Sequence, residues 1–340
     1  MSSRFSRRNF LRAMGMAAAG LTAASCDSLF ASNQRSQTTF TGKLPMRPLG
    51  QTGDSVSLLG LGGQSTVEGS DTQAAVDIIN DAIDRGVNYI DTSPRYGSTR
   101  SENNIGLVMQ DRRQEVLLAT KSRERTYTAV LNDFEESLIR LRTDYVDLYQ
   151  VHNIGTASDV AELYQTDGSG RTAIDAFVRL RDEGRARFIG ITGHHDPAQL
   201  LAVLEHSDPD APAFDAILMA LNPADWHRTP FQGQLLQTVI ERKMAVIAMK
   251  ITAMNHLLDE IPDMADCLNY VYSLPISCAV VGITDLWQLE RNVQITQDFS
   301  APLSQAEMEA LENMTTATPD TIRPGDGGPR KGDWFKVLRY

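Results

Sequence analysis

Asp91, Tyr96, Lys121 and His152 are a carboxylate, a phenol, an ammonium and an imidazole set at the ends of successive apolar runs. Asp91 ends Asn88-Tyr89-Ile90-Asp91, and Tyr96-Gly97 follows in the next loop. Lys121 ends Leu118-Ala119-Thr120-Lys121, and His152 ends Asp147-Leu148-Tyr149-Gln150-Val151-His152. Three consecutive strands thus deliver titratable groups to one rim. Hydride addition to a carbonyl leaves an alkoxide that needs a proton, and a phenol of pKa about 10 donates reluctantly near neutrality unless a cation favours its anion. Lys121 can supply that field, a buried Asp91 keeps the ammonium charged, and His152 can orient and polarise the substrate oxygen. Singly, each has a structural explanation as a cap, a turn aromatic, a solvated end or a satisfied histidine. Their joint order at strands two, three and four makes them one proton-delivery set.

The elements that must position them follow from periodicity. Apolar runs that read as strands end near Gly60, Ile90, Thr120, Val151, Ile191, Met219, Met249 and Val281, at intervals of about thirty residues with one of about forty, as repeated strand-helix units produce. Helical stripes lie between them, Val76, Ile79 and Ile83 in one and Leu131, Phe134, Leu138 and Leu141 in another, with Gly86 and Gly184 where helices stop. Eight such units predict an α/β fold, a single-domain (β/α)8 TIM barrel, rather than an open doubly wound sheet. Gly60-Leu61-Gly62-Gly63 does not open into a G-x-G-x-x-G fingerprint. Three stretches, 153–171, 222–232 and the tail 316–340, exceed ordinary connection length; the first two fall at the C-terminal mouth and are expected to shape a substrate pocket.

Ser6-Arg7-Arg8-Asn9-Phe10-Leu11-Arg12, followed by an apolar stretch at 13–24 too short to span a bilayer, resembles a twin-arginine export signal, whose pathway carries folded proteins. Residues 1–31 are read as this signal, 32–45 as a polar tether, 46–315 as the barrel and 316–340 as a C-terminal tail. Ala23-Ala24-Ser25-Cys26 resembles a lipobox, so two ends stay open: lipidation at Cys26, with Asp27 favouring the inner membrane, or cleavage between Ala24 and Ala31. The expected location is periplasmic or anchored to the inner membrane, with the twin-arginine translocase as partner during export. The formal charge is −11 although residues 1–26 carry four Arg and no acid, so the remaining body is more acidic still. Such a surface excludes nucleic acid, and contact with the membrane is expected only through the signal or a lipid at Cys26. The other cysteines, Cys267 and Cys278, lie in apolar runs and read as buried thiols. His194-His195 with His227 or His256 completes no metal-ligand spacing, so no metal site is expected.

Asp91-Thr92-Ser93-Pro94-Arg95-Tyr96-Gly97, with Ser101-Glu102, resembles the most specific motif of the aldo-keto reductase family, and the likeness runs from Met46-Arg47-Pro48-Leu49-Gly50 to Asn292. The resemblance implies an N-terminal β-hairpin plugging the barrel bottom, Tyr96 as general acid, Lys121 and Asp91 tuning it, and His152 positioning a carbonyl. It also implies a nicotinamide dinucleotide, NADP or NAD with NADP slightly favoured.

The family's cofactor contacts fall here on Thr192, Gly193, Lys250, Gly282, Thr284, Gln288 and Asn292. Gly193 lacks the family's usual amide, Leu218 stands where many members carry a Gln, and Thr284 and Gln288 are uncharged where a basic residue usually meets the 2′-phosphate, although Arg291 is adjacent. The expected function is NAD(P)-dependent reduction of an aldehyde or ketone, a small-molecule carbonyl substrate, or the reverse alcohol oxidation. A non-catalytic exported dinucleotide- or ligand-binding protein on the same barrel is the alternative.

Overall fold

The structure is a computed structural model that describes residues 44–315 apart from 207–212, 228–229, 254 and 262. The segment read as an export signal, nearly all of the segment read as a tether and the C-terminal tail lie outside the described residues. The first elements form a hairpin, β1 (Met46–Pro48) antiparallel to β2 (Ser55–Ser57), with Met46 opposite Ser57.

Eight further strands close a barrel: β3 (Leu59–Ser65), β4 (Tyr89–Asp91), β5 (Leu117–Ser122), β6 (Val146–Val151), β7 (Ala186–Gly193), β8 (Ala216–Ala220), β9 (Ala245–Met249) and β10 (Cys278–Ile283). Every neighbouring pair is parallel, and β10 returns to β3 with Ala279 opposite Leu59. The crossovers run through α1 (Thr72–Asp84), α2 (Arg100–Arg112), α3 (Tyr127–Leu141), α4 (Ala157–Tyr164), α5 (Ala173–Asp182), α6 (Pro197–Glu205), α7 (Gln234–Glu241) and α8 (Met264–Ser273). Beyond β10 follow α9 (Leu286–Asp298) and α10 (Gln305–Met314).

The barrel fills by alternation along its strands. Leu117 and Ala119 in β5, Ala216 and Leu218 in β8, Ala245 and Ile247 in β9, and Cys278 and Val280 in β10 join one interior cluster. Leu49 and Val56 of the hairpin, 1 % and 0 % exposed, pack into that cluster beside residues that begin strands, so the hairpin stops the N-terminal end. The outward positions face helices: the Tyr149 ring lies 4.7 Å from Phe134 of α3 and 4.8 Å from Phe177 of α5. Cys267 and Cys278 are buried and unbridged.

The two long connections at the mouth contain more order than their length implies. Residues 153–171 hold α4, whose start is fixed by a capping box in which Thr156 Oγ1 accepts from Asp159 N at 3.2 Å and the Asp159 carboxylate accepts from Thr156 N at 2.8 Å. Residues 222–232 hold a 3₁₀ turn at Pro223–His227, tied down by Phe231 N and Gln232 N donating to the buried Asp225 carboxylate.

Candidate active site

Asp91 closes β4, Lys121 is the penultimate residue of β5 and His152 directly follows β6, so all three arrive at the C-terminal mouth. His152 continues the ladder, its N–H donating to Ser122 O at 2.7 Å. Tyr96 reaches the same place from the loop after β4, where Gly97 is required: its φ is +56°, and a Cβ there would stand 2.3 Å from Glu68 O.

Lys121 is fully buried, and an ammonium has three donors to place. Nζ donates to Asp91 Oδ1, to Thr92 O at 2.7 Å and to Tyr96 Oη at 3.2 Å. Burial pulls the ammonium down, but Asp91 and Tyr96 push back and leave it above its ordinary value. Burial also raises the Asp91 carboxyl, against Lys121 and Gln150. For this coupled pair the upward direction at Lys121 decides, because a neutral amine could not donate to three acceptors at once. Lys121 is therefore charged, and Tyr96 Oη receives a hydrogen bond while keeping its own proton for the cavity.

One expectation is corrected. The phenol is not made more acidic overall: burial raises Tyr96 above its usual value, and the Lys121 charge only opposes that rise. Much of the ammonium's field is absorbed by Asp91 in direct contact.

His152 is 8 % exposed, and its ring lies edge-on to Tyr96 with centroids 6.0 Å apart. Burial, followed by the Lys121 charge, holds its imidazole well below the ordinary range, so it is neutral. Ser93 Oγ accepts from Arg95 N at 3.2 Å and lies 3.1 Å from His152 Nδ1. Either atom of this pair can donate; where the serine hydroxyl does, the imidazole N–H falls on Nε2 and offers a donor to a substrate oxygen.

Of the residues expected to face a cofactor, Thr192, Lys250, Gly282, Thr284, Gln288 and Asn292 line one cavity together with Asp91, Tyr96 and His152. Gly193 does not. A Cβ there would stand 2.6 Å from Ile154 O and 3.0 Å from a Leu200 methyl, so position 193 is pressed under the loop after β6 and has no room for an amide side chain. Leu218 presents an apolar surface to the cavity, opposite Thr192 in the sheet register. Gln288 uses its amide oxygen locally, accepting from Thr284 N at 2.9 Å. Arg291 also lines the cavity, with its guanidinium 3.6 Å from Asp263, both side chains about half exposed.

Several participants were not singled out from sequence. Gln150 is fully buried, and its Nε2 donates to Asp91 Oδ2 at 3.1 Å. Its signal was a polar residue two positions before His152 in the strand that leads to it, hence on the same inner face. The roles of Ser93 and Thr92 O come from loop geometry and have no sequence signal. Glu102 of the motif is buried and accepts from Thr120 Oγ1 at 2.7 Å and from Arg140 Nε at 2.5 Å, which ties α2 to β5 and α3.

Comparison with known proteins agrees with this geometry. The sequence pattern of the Aldo/keto reductase family matches residues 58–269. The oxidoreductase YqkF of Bacillus subtilis is 27 % identical over 308 residues, which cover 79 % of this chain and 96 % of that one. L-galactose dehydrogenase of Arabidopsis thaliana is 36 % identical over 167 residues, 44 % of this chain and 49 % of that enzyme, so this match spans about half its length. The holo form of the aldo-keto reductase AKR11C1 from Bacillus halodurans superposes with a TM-score of 0.66 at 25 % identity, covering 80 % of this chain and 96 % of that one. The chain belongs to the aldo/keto reductase family.

Proposed function

We propose that the protein is an NAD(P)-dependent oxidoreductase that reduces an aldehyde or ketone, or oxidises the corresponding alcohol in reverse. The observation that carries this is the donor count at Lys121: all three N–H groups are committed, one to Tyr96 Oη, so the phenol proton is directed at the cavity. The substrate oxygen then sits between Tyr96 Oη and His152 Nε2. In reduction Tyr96 gives its proton to the developing alkoxide, and the charged Lys121 stabilises the phenolate left behind. In oxidation the same phenolate takes the proton back.

The cavity fits a dinucleotide on its own features. Gly62, Gly63 and Gly282 leave part of its wall without side chains, Lys250 and Arg291 offer cations for phosphates, and Asp91, Tyr96 and His152 stand among its lining groups. Bound nicotinamide dinucleotide supplies the hydride. Thr192, Lys250, Gly282, Thr284, Gln288 and Asn292 would hold it, without Gly193. NADP is slightly favoured because Arg291 is the cation beside Thr284 and Gln288. Titration with NADPH and NADH, followed by turnover of an aldehyde panel with and without Tyr96→Phe, tests the reading. Binding without turnover by wild type would favour a binding protein instead.

The export reading rests on Arg7-Arg8 and the apolar stretch after them. The protein would leave the cytoplasm folded, with its dinucleotide already held, and stay periplasmic or anchored at Cys26. Arg7→Lys with Arg8→Lys should block export, and unchanged export would point to another route.

A further inference from the structure

Gln150 occupies an unusual place for a neutral amide. It lies opposite Lys121 in the sheet register and shares the inner face of β6 with Leu148 below and His152 above. Lys121 takes Asp91 Oδ1 and Gln150 Nε2 takes Asp91 Oδ2 at 3.1 Å, so the two oxygens of one buried carboxylate are divided between an ammonium and an amide. Gln150 Oε1 is buried without a hydrogen-bond partner among the described residues. Reversing the amide would set that oxygen against the Asp91 carboxylate, so charge fixes its orientation. A leucine or methionine would fill the same space without a stranded acceptor. The amide is therefore explained by what its N–H does for Asp91.

We propose that Gln150 is a fifth member of the proton-transfer set, a positioning residue that keeps the Asp91 carboxylate ionised and aimed at Lys121, and through it keeps the ammonium charged beside Tyr96. The inference rests on the reading of Tyr96 as proton donor. Donation to a carboxylate favours its charged form, and Gln150 acts with Lys121 against the burial that raises Asp91. The titratable groups around Asp91 are Lys121 from β5, Tyr89 and Tyr96 from its own strand and loop, and Cys278 from β10, with His152 and Glu68 beyond Lys121 and Tyr96. Among these only Lys121 is positive, so no other side chain in that layer replaces the amide.

The test uses the folded holoenzyme with Gln150→Met, which keeps the volume, and Gln150→Glu. In Gln150→Met the pH profile of alcohol oxidation, which needs the phenolate, should move up by about half a unit or more, with kcat lowered about tenfold and dinucleotide Kd unchanged. Gln150→Glu should be weak at neutral pH and recover as the pH falls, because a protonated carboxyl can donate to Oδ2 as the amide does. Carbon-13 NMR of aspartate carboxyls, with Asp91 assigned through Asp91→Asn, should show its titration shifted upward in Gln150→Met. An unshifted Asp91 titration in that folded variant overturns the proposal. If wild type turns over no carbonyl, the functional reading fails, while the NMR titration still decides the action of Gln150 on Asp91.

Discussion

Lys121 and Tyr96 meet at 3.2 Å with the ammonium as donor and the phenol oxygen as acceptor. The direction of this bond matters more than its length, because Tyr96 keeps its own proton to give away. Tyr96→Phe should lower kcat for carbonyl reduction by roughly 10²- to 10⁴-fold, with dinucleotide affinity measured by fluorescence titration nearly unchanged. A variant with wild-type kcat would remove Tyr96 from the role of donor.

Lys121 and Asp91 form an ion pair with side chains only 1 % and 4 % exposed. Lys121→Met strands the carboxylate inside the barrel and should cost about 3–5 kcal/mol in urea unfolding. Asp91→Leu combined with Lys121→Met removes both charges and should recover most of that loss while remaining inactive. If the double variant is as unstable as the sum of the singles, the charges are not coupled as described.

His152 and His194 are both held well below the ordinary imidazole value, chiefly by burial, then by Lys121 for the former and His195 for the latter. The unfolded chain takes up these protons near pH 6.5 and the folded chain does not. Their contribution to stability is therefore present above about pH 6.5 and lost as the pH falls, with a limiting slope of about 1.4 kcal/mol per pH unit for each site. Denaturant unfolding between pH 7 and 5 should show this decline, and His152→Gln should be shallower by one proton. An equal slope would mean that His152 is already charged in the fold.

The barrel was legible because its evidence is local and repeated: strand ends near Ile90, Thr120, Val151 and Met249 coincide with β4, β5, β6 and β9 to within two residues. Gly86 and Gly184 stop α1 and α5 in left-handed conformations, φ +92° and +71°. Thr156 and Asp159 carried a capping signal for α4 that length alone concealed. Gly193 was misplaced for a tertiary reason, since nothing near it in sequence tells that Ile154 O crosses its Cα. The direction at Tyr96 was illegible in the same way, because burial cannot be weighed against a neighbouring cation before both are placed.

Arg291 is the cation that would distinguish the two dinucleotides, and Asp263 competes for it at 3.6 Å. Both side chains are about half exposed, so water weakens that pair and a 2′-phosphate can displace the aspartate. Arg291→Gln should weaken NADPH binding about tenfold and NADH binding little, and Asp263→Asn should shift preference towards NADPH. Equal losses for both dinucleotides in calorimetry would place Arg291 away from the 2′-phosphate.

Gly97 carries the turn that presents Tyr96, and it is followed by two more left-handed residues, Ser98 and Thr99, at φ +53° and +77°. An alanine there pays backbone strain of about 1–2 kcal/mol and also drives its methyl into Glu68 O, which lies 2.3 Å from the Cβ position. That carbonyl has little freedom to retreat, because Arg100 Nε donates to it at 3.0 Å and Asn104 Nδ2 fixes the flanking Val67 O at 2.9 Å. The Tyr96 loop must yield instead, which lengthens the contact with Lys121. Gly97→Ala should therefore lower kcat by roughly 10²-fold with a moderate fall in Tm. Gly53→Ala is the matched control: its φ is +89°, but beyond its own chain neighbours no atom lies within 4 Å of the added carbon, so it should lose stability through strain alone and keep wild-type kcat. Full activity in Gly97→Ala would show that the loop absorbs the clash without moving the phenol.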